Sequence, residues 1–92
     1  MSYSIVITAG AEREIKKLPA QIQDDIFEKI ASLKENPRPS KYKKLTNFKV
    51  PNLQLKPLYR IRTGDYRIVY AIQDDIITIT IVKIGHRKDV YM

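Results

Sequence analysis

The sequence predicts an α+β domain: an N-terminal strand, a two-helix antiparallel hairpin, then a three-stranded antiparallel meander, with both helices on one face of a single twisted sheet. Three observations carry that expectation. Apolar residues from Ala11 to Leu33 recur at helical spacing. From Tyr59 to Val82 they alternate with polar ones at the period of two that a strand imposes. Between the two alternating runs sits Gly64-Asp65, the pair expected of a two-residue hairpin turn in which glycine supplies the positive φ. At 92 residues the chain is one domain, 1–92, with room for a single core.

In SYSIVIT, Tyr3, Ile5 and Ile7 alternate against Ser4 and Val6, as in a strand with one buried face. Thr8 is placed to cap a helix in which Ala11, Ile15 and Leu18 fall on one side. Leu18-Pro19 ends it, and Pro19 suits the first turn of a second helix with the stripe Ile22, Ile26, Ile30 and Leu33. Asp24 and Asp25 lie early and Lys29 and Lys34 late, matching the helix dipole, and Asn36-Pro37 stops the helix. Residues 38–57 read as a loop, with Pro39, Pro51, Pro57 and the basic run Lys41 to Lys44. In the first hairpin the turn sets Thr63 against Tyr66, Arg62 against Arg67, Ile61 against Ile68 and Arg60 against Val69. A second turn at Asp74-Asp75 would set Tyr70 against Ile79 and Ile68 against Ile81. Tyr59, Ile61, Ile68, Tyr70, Ile72, Ile77, Ile79 and Ile81 then share the core face. Arg60, Arg62, Arg67, Val69, Thr78, Thr80 and Val82 take the other.

The charge is uneven. Of 17 Lys/Arg and 10 Asp/Glu, residues 1–36 hold 5 and 6, and residues 37–92 hold 12 and 4, giving net charges of −1 and +8. A basic half on so small a domain is the footprint of a polyanion binder, or of a protein with an acidic partner. The absence of cysteine excludes disulfides and thiolate metal sites. The N-terminus lacks a signal-peptide pattern, and no apolar run approaches the roughly 18 residues of a membrane span. A soluble, cytoplasmic protein without membrane attachment is therefore expected. The three glycines are scattered singly, so there is no phosphate-binding glycine loop, and no His/Asp/Glu cluster has metal spacing. No cofactor or metal is expected.

What remains is the arginine cluster. Like charges directly opposite in a sheet repel, and arginine stays ionised. Three on one face make sense if an anion occupies the space between them, since each guanidinium offers a fork of donors matched to phosphate oxygens. The side chains splaying into water, or meeting acids of another chain, would also explain them. The C-terminal VKIGHRKDVYM adds His86, Arg87, Lys88 and Tyr91. His86 is the single histidine, the residue type that titrates nearest neutrality. Lys43 and Lys44 interleave with Tyr42 in a pattern seen in nucleic-acid binders.

The phrases LYRIRTGDYRIVYAI and VKIGHRKDVY, with the order of elements, resemble the RelE branch of the RelE/ParE toxin superfamily over nearly the whole chain. The resemblance implies a RelE-like fold and a ribosome-dependent messenger-RNA endonuclease, the toxin of a type II toxin–antitoxin pair. Its partners would be the ribosome, mRNA and a cognate antitoxin that wraps it in a hetero-oligomeric complex. Cleavage in the family needs no metal: the ribose 2′-hydroxyl attacks the adjacent phosphate, leaving a cyclic phosphate and a free 5′-hydroxyl. By position, Arg60 falls where the branch has a catalytic lysine or arginine. Arg67 matches the arginine that stabilises the transition state, Arg87 one at the leaving-group side, and Tyr91 the active-site tyrosine. Arg62 matches an RNA-contacting position; Lys43, Lys44, Lys56 and Lys88 are further candidate RNA contacts. The branch has two lysines where this chain has Leu58 and Arg60. Arginine is a poor base, which leaves His86 or Tyr91 for proton transfer. Two other readings stand beside this one: a ParE-like inhibitor of DNA gyrase, and a non-catalytic basic module that binds nucleic acid or an acidic partner.

Overall fold

The path of the chain is set by where its apolar stripes can be buried. The computed structural model describes residues 2–51 and 53–86. The elements are β1 (Ser4–Ile7), α1 (Ala9–Lys16), α2 (Ala20–Glu35), β2 (Lys43–Leu45), β3 (Leu58–Thr63), β4 (Tyr66–Gln73) and β5 (Thr78–His86), with a short 3-10 helix at Asp74–Ile76. They form one sheet in the order β1-β5-β4-β3-β2, with β1 parallel to β5 and the other pairs antiparallel. The two helices thus carry the chain from one edge of the sheet to the other across a single face.

Local chemistry places both helices. The Thr8 hydroxyl accepts from the Ala11 N–H at 3.2 Å and opens α1, while Pro19 occupies the cap of α2. Ala11 and Ile15 of α1 and Ile26, Ile30 and Leu33 of α2 are buried against Ile61, Ile68, Tyr70, Ile79 and Ile81 of the sheet. Tyr70, fully enclosed, donates from its hydroxyl to the Pro37 carbonyl at 2.7 Å, which pins the chain as it leaves α2. Burial pushes that phenol well above the ordinary tyrosine range. At the opposite end from the Gly64 turn, Asp74 accepts from the Tyr3 hydroxyl at 2.6 Å and from Arg38 at 2.7 Å. This clasp ties β1, the segment after α2 and the β4–β5 connection together. Its Arg38 guanidinium, helped by the Tyr3 hydroxyl, holds the Asp74 carboxyl below the usual carboxylate range.

The first hairpin has the expected register, with Arg62 opposite Arg67 and Gly64 at φ 59°. The second differs. Its turn is the 3-10 helix followed by Ile77 at φ 49°, so Ile77 is partly exposed in the turn and not in the core. Tyr70 therefore faces Ile81, not Ile79. A bulge follows: Val69 pairs with Lys83, leaving Val82 as an extra residue, and Ile68 faces Ile84.

Residues 38–57 are not simply loop. Lys43–Leu45 form the edge strand β2 against β3, a short lysine-bearing strand of the kind that discourages further pairing. The segment after it folds back over the sheet face opposite the helices. Leu45, Phe48, Val50, Leu53 and Leu55 pack there on Leu58, Val69, Ala71 and Val82, a second, smaller apolar cluster. Among the described residues no helix is long and apolar enough to cross a membrane.

Two outcomes are expected. Tyr70→Phe leaves the buried Pro37 carbonyl without its donor and lowers stability by about 1–2 kcal/mol in urea unfolding. Asp74→Asn lowers the urea midpoint at pH 7. Because the folded carboxyl sits below its unfolded value of about 3.9, its stabilisation is present above that pH and lost as pH falls through the folded value. The gap between wild type and variant therefore closes on acidification below about pH 4.

Candidate active site

β3 and β4 present their arginines on the face away from the helices because Ile61, Ile68 and Tyr70 claim the helix side and neighbours must alternate. Two cross-strand rows result. One runs Lys43, Arg60, Val69, Lys83 from β2 to β5; the other runs Arg62, Arg67, Gly85 from β3 to β5. The first row meets the apolar covering of this face at Val69.

The three arginines differ in environment. Arg60 is 8% exposed and Arg67 is 4% exposed, whereas Arg62 is exposed. The Nε of Arg60 and one terminal nitrogen of Arg67 are shut off from solvent. Two of the cations are thus held in place by the protein, and the third reaches water at the β3 edge. This face is not the open surface that the sequence suggested: the covering segment reaches Val69 in the first row, and Arg60 and Arg67 are themselves buried. Beside Arg67 the bulge sets Gly85. Without the extra residue Val82, Arg67 would face Ile84, so one inserted residue exchanges a buried isoleucine for a position with no side chain.

The other candidates divide. Lys43 stands beside Arg60 in the same row. Lys44, its strand neighbour, pairs with Tyr59 and has the opposite parity; with Lys56, Phe48 and Leu58 it lines a hollow of about 480 Å3 that includes none of the three arginines. His86 is opposite Tyr66, with the rings edge-to-face at 5.6 Å, and Tyr66 packs on the helix-side core. The alternation therefore places His86 on the face away from Arg67, not among the arginines. Arg87, Lys88 and Tyr91 lie outside the described residues. Among the described residues no three His, Cys, Asp or Glu side chains are grouped to hold a metal ion.

The covering segment is the functional feature that the sequence reading missed. Its signal was the paired spacing Phe48, Val50 and Leu53, Leu55 on either side of Pro51: four apolar residues that a solvated loop has no reason to carry.

A family described as the ParE toxin of the type II toxin–antitoxin system parDE matches residues 5–91. Toxin RelG of Mycobacterium tuberculosis (strain ATCC 25618 / H37Rv) is 30% identical over 92 residues, covering 99% of this chain and 98% of the relative. Toxin RelE of the same strain is 36% identical over 90 residues, covering 97% of this chain and 86% of the relative. Among solved structures, a chain of the toxin–antitoxin complex RelBE2 from Mycobacterium tuberculosis superimposes with a TM-score of 0.78. It is 28% identical, over 95% of this chain and 93% of that one.

Proposed function

The chain belongs to the ParE toxin family within the RelE/ParE superfamily and is a RelE-type toxin of a toxin–antitoxin system; from that premise we propose that it is a ribosome-dependent mRNA endonuclease. The observation that carries the proposal is Arg67: a buried guanidinium, fixed by the sheet, with exposed Arg62 on one side and the side-chain-free Gly85 on the other. That arrangement suits a phosphate seated across the row.

In the proposed reaction the ribose 2′-oxygen attacks the adjacent phosphorus, its proton leaves, and the bond from phosphorus to the 5′-oxygen breaks. The products are a 2′,3′-cyclic phosphate and a 5′-hydroxyl, the latter taking up a proton. Between them stands a five-coordinate phosphorus with two negative charges. Arg67 and Arg60, already desolvated and positioned, meet that charge without reorganising. Arg62 and Lys43 hold the neighbouring backbone from the exposed margin. His86 takes no part, because its ring lies across the sheet from Arg67. Proton transfer then falls to groups beyond residue 86, with Tyr91 the candidate, or to the ribosome that orients the substrate. A site with so weak an acid–base set works slowly on free RNA, which supports dependence on the ribosome. The reading places the protein in the cytoplasm, with a cognate antitoxin as its inhibitory partner, as the RelBE2 complex has for its own toxin.

The family description names ParE, which favours a second reading as a gyrase inhibitor. The two separate on whether induction stops protein synthesis or DNA replication first.

Arg67→Gln, close in volume, is expected to slow cleavage of mRNA on programmed ribosomes by about a hundredfold, the kinetic equivalent of about 3 kcal/mol of lost transition-state stabilisation. Arg67→Lys recovers only part, since it restores the charge and not the fork. Circular dichroism establishes that both variants fold. Wild-type cleavage by a folded Arg60→Gln/Arg67→Gln variant would overturn the proposal.

A further inference from the structure

A trough of about 620 Å3 lies along β5, lined on one side by α1 and on the other by residues 48–51. Its charged lining is lopsided. Arg13 and Lys17 from α1, Lys49 from the covering segment and Lys83 from β5 stand against one carboxylate, Glu14: four cations against one acid, three net positive charges. That acid is already committed. One of its oxygens takes the Lys83 ammonium at 2.8 Å, and the other accepts the Ile84 backbone N–H at 2.9 Å, past the point where β1 stops pairing with β5. Glu14 thus stands in for the missing strand, and both of its oxygens are engaged. The ion pairs among the described residues join Lys16 to Glu12, Arg38 to Asp74 and Lys83 to Glu14, and none includes Arg13, Lys17 or Lys49.

We infer that this trough holds single-stranded RNA flanking the cut, an assignment that rests on the nuclease reading above. Charge is the first reason, since phosphates are what three cations without an acid attract. The lining is the second: Phe48, Val50, Pro51 and Val82 add apolar surface beside the basic rim, a combination that suits unpaired bases. Continuity is the third. Lys83 is two residues from Gly85, roughly 7 Å along the strand, and Gly85 faces Arg67. A backbone with one phosphate at the arginine row therefore enters the trough within about a nucleotide. An acidic peptide would meet the same cations, but nothing ties it to the arginine row.

The test uses a fluorescein-labelled RNA of about 12 nucleotides with 2′-O-methyl riboses, which cannot be cut by 2′-attack. The variant is Arg13→Ala/Lys17→Ala/Lys49→Ala, all at exposed positions. By fluorescence anisotropy its affinity falls about tenfold or more, and its log–log dependence on salt is shallower by about 2, the share of three phosphate contacts. On programmed ribosomes KM rises while kcat changes by less than about twofold. Lys16→Ala/Lys34→Ala, which removes two cations elsewhere, changes neither. Equal RNA affinity of triple variant and wild type overturns the trough, whether or not the protein cuts. Loss of RNA affinity in the triple variant, alongside a wild type that leaves ribosome-bound mRNA intact, overturns the nuclease reading and keeps the trough as an RNA site. An oligoglutamate peptide that binds as tightly as the RNA, with the same loss in the variant, overturns the RNA assignment.

Discussion

The structure depends on one register, that of β3 against β4. Side chains alternate across a strand, so a slip of one residue would move Ile61, Ile68 and Tyr70 into water and drive the arginines into the helix-side core. Burying unpaired cations costs far more than any local preference can offset. The Gly64-Asp65 turn selects the register, with Gly64 taking a left-handed φ that a residue with a Cβ adopts reluctantly. The isoleucines enforce it. Fold and candidate site are therefore two faces of the same decision: whatever fixes the core also lines up the cations.

That decision leaves a conflict, because Arg62 and Arg67 end directly opposite each other. The fold manages it by unequal burial. Arg67 is enclosed, and Arg62 reaches water. Like charges repel about fourfold less in water than at an effective dielectric of about 20. Keeping one partner exposed moves the pair toward the weaker limit. Anything that covers the row and excludes water moves the pair toward the stronger one, unless it brings negative charge.

Most of the fold is legible in the sequence because each element carries a local signal as well as a global one. The Thr8 cap, the stripe from Ile22 to Leu33 and the glycine turn all agree with the pattern of burial. The second hairpin is less legible for a definite reason. Asp74-Asp75 marks a turn but not its length, and Ile77, a β-branched residue, is among the last expected at positive φ. The covering segment escapes for a different one. Its two i, i+2 pairs, Phe48/Val50 and Leu53/Leu55, are out of phase across Pro51 and form no strand, and what they bury is made by strands that come later in the chain. In the candidate site, the shared face of Arg60, Arg62 and Arg67 follows from parity alone. Their burial does not, since it is set by tertiary covering, and the placement of His86 depends on a bulge that has no signature in the residues.

The bulge at Val82 joins these threads. Before it, β5 pairs with β4 so that Ile79 and Ile81 meet Ile72 and Tyr70 in the helix-side core. An unbroken ladder would carry Ile84 to the arginine face opposite Arg67 and bring Gly85 to the helix side. The single extra residue reverses both. Ile84 returns to the core, Val82 joins the apolar cluster under the covering segment, and the residue with no side chain arrives beside Arg67. Beyond the end of β1, the Ile84 N–H donates to the Glu14 carboxylate of α1. The insertion therefore serves both apolar clusters and sets a residue without a side chain opposite a buried cation. Its effect on the arginine face is one of position: Gly85, not Ile84, pairs with Arg67.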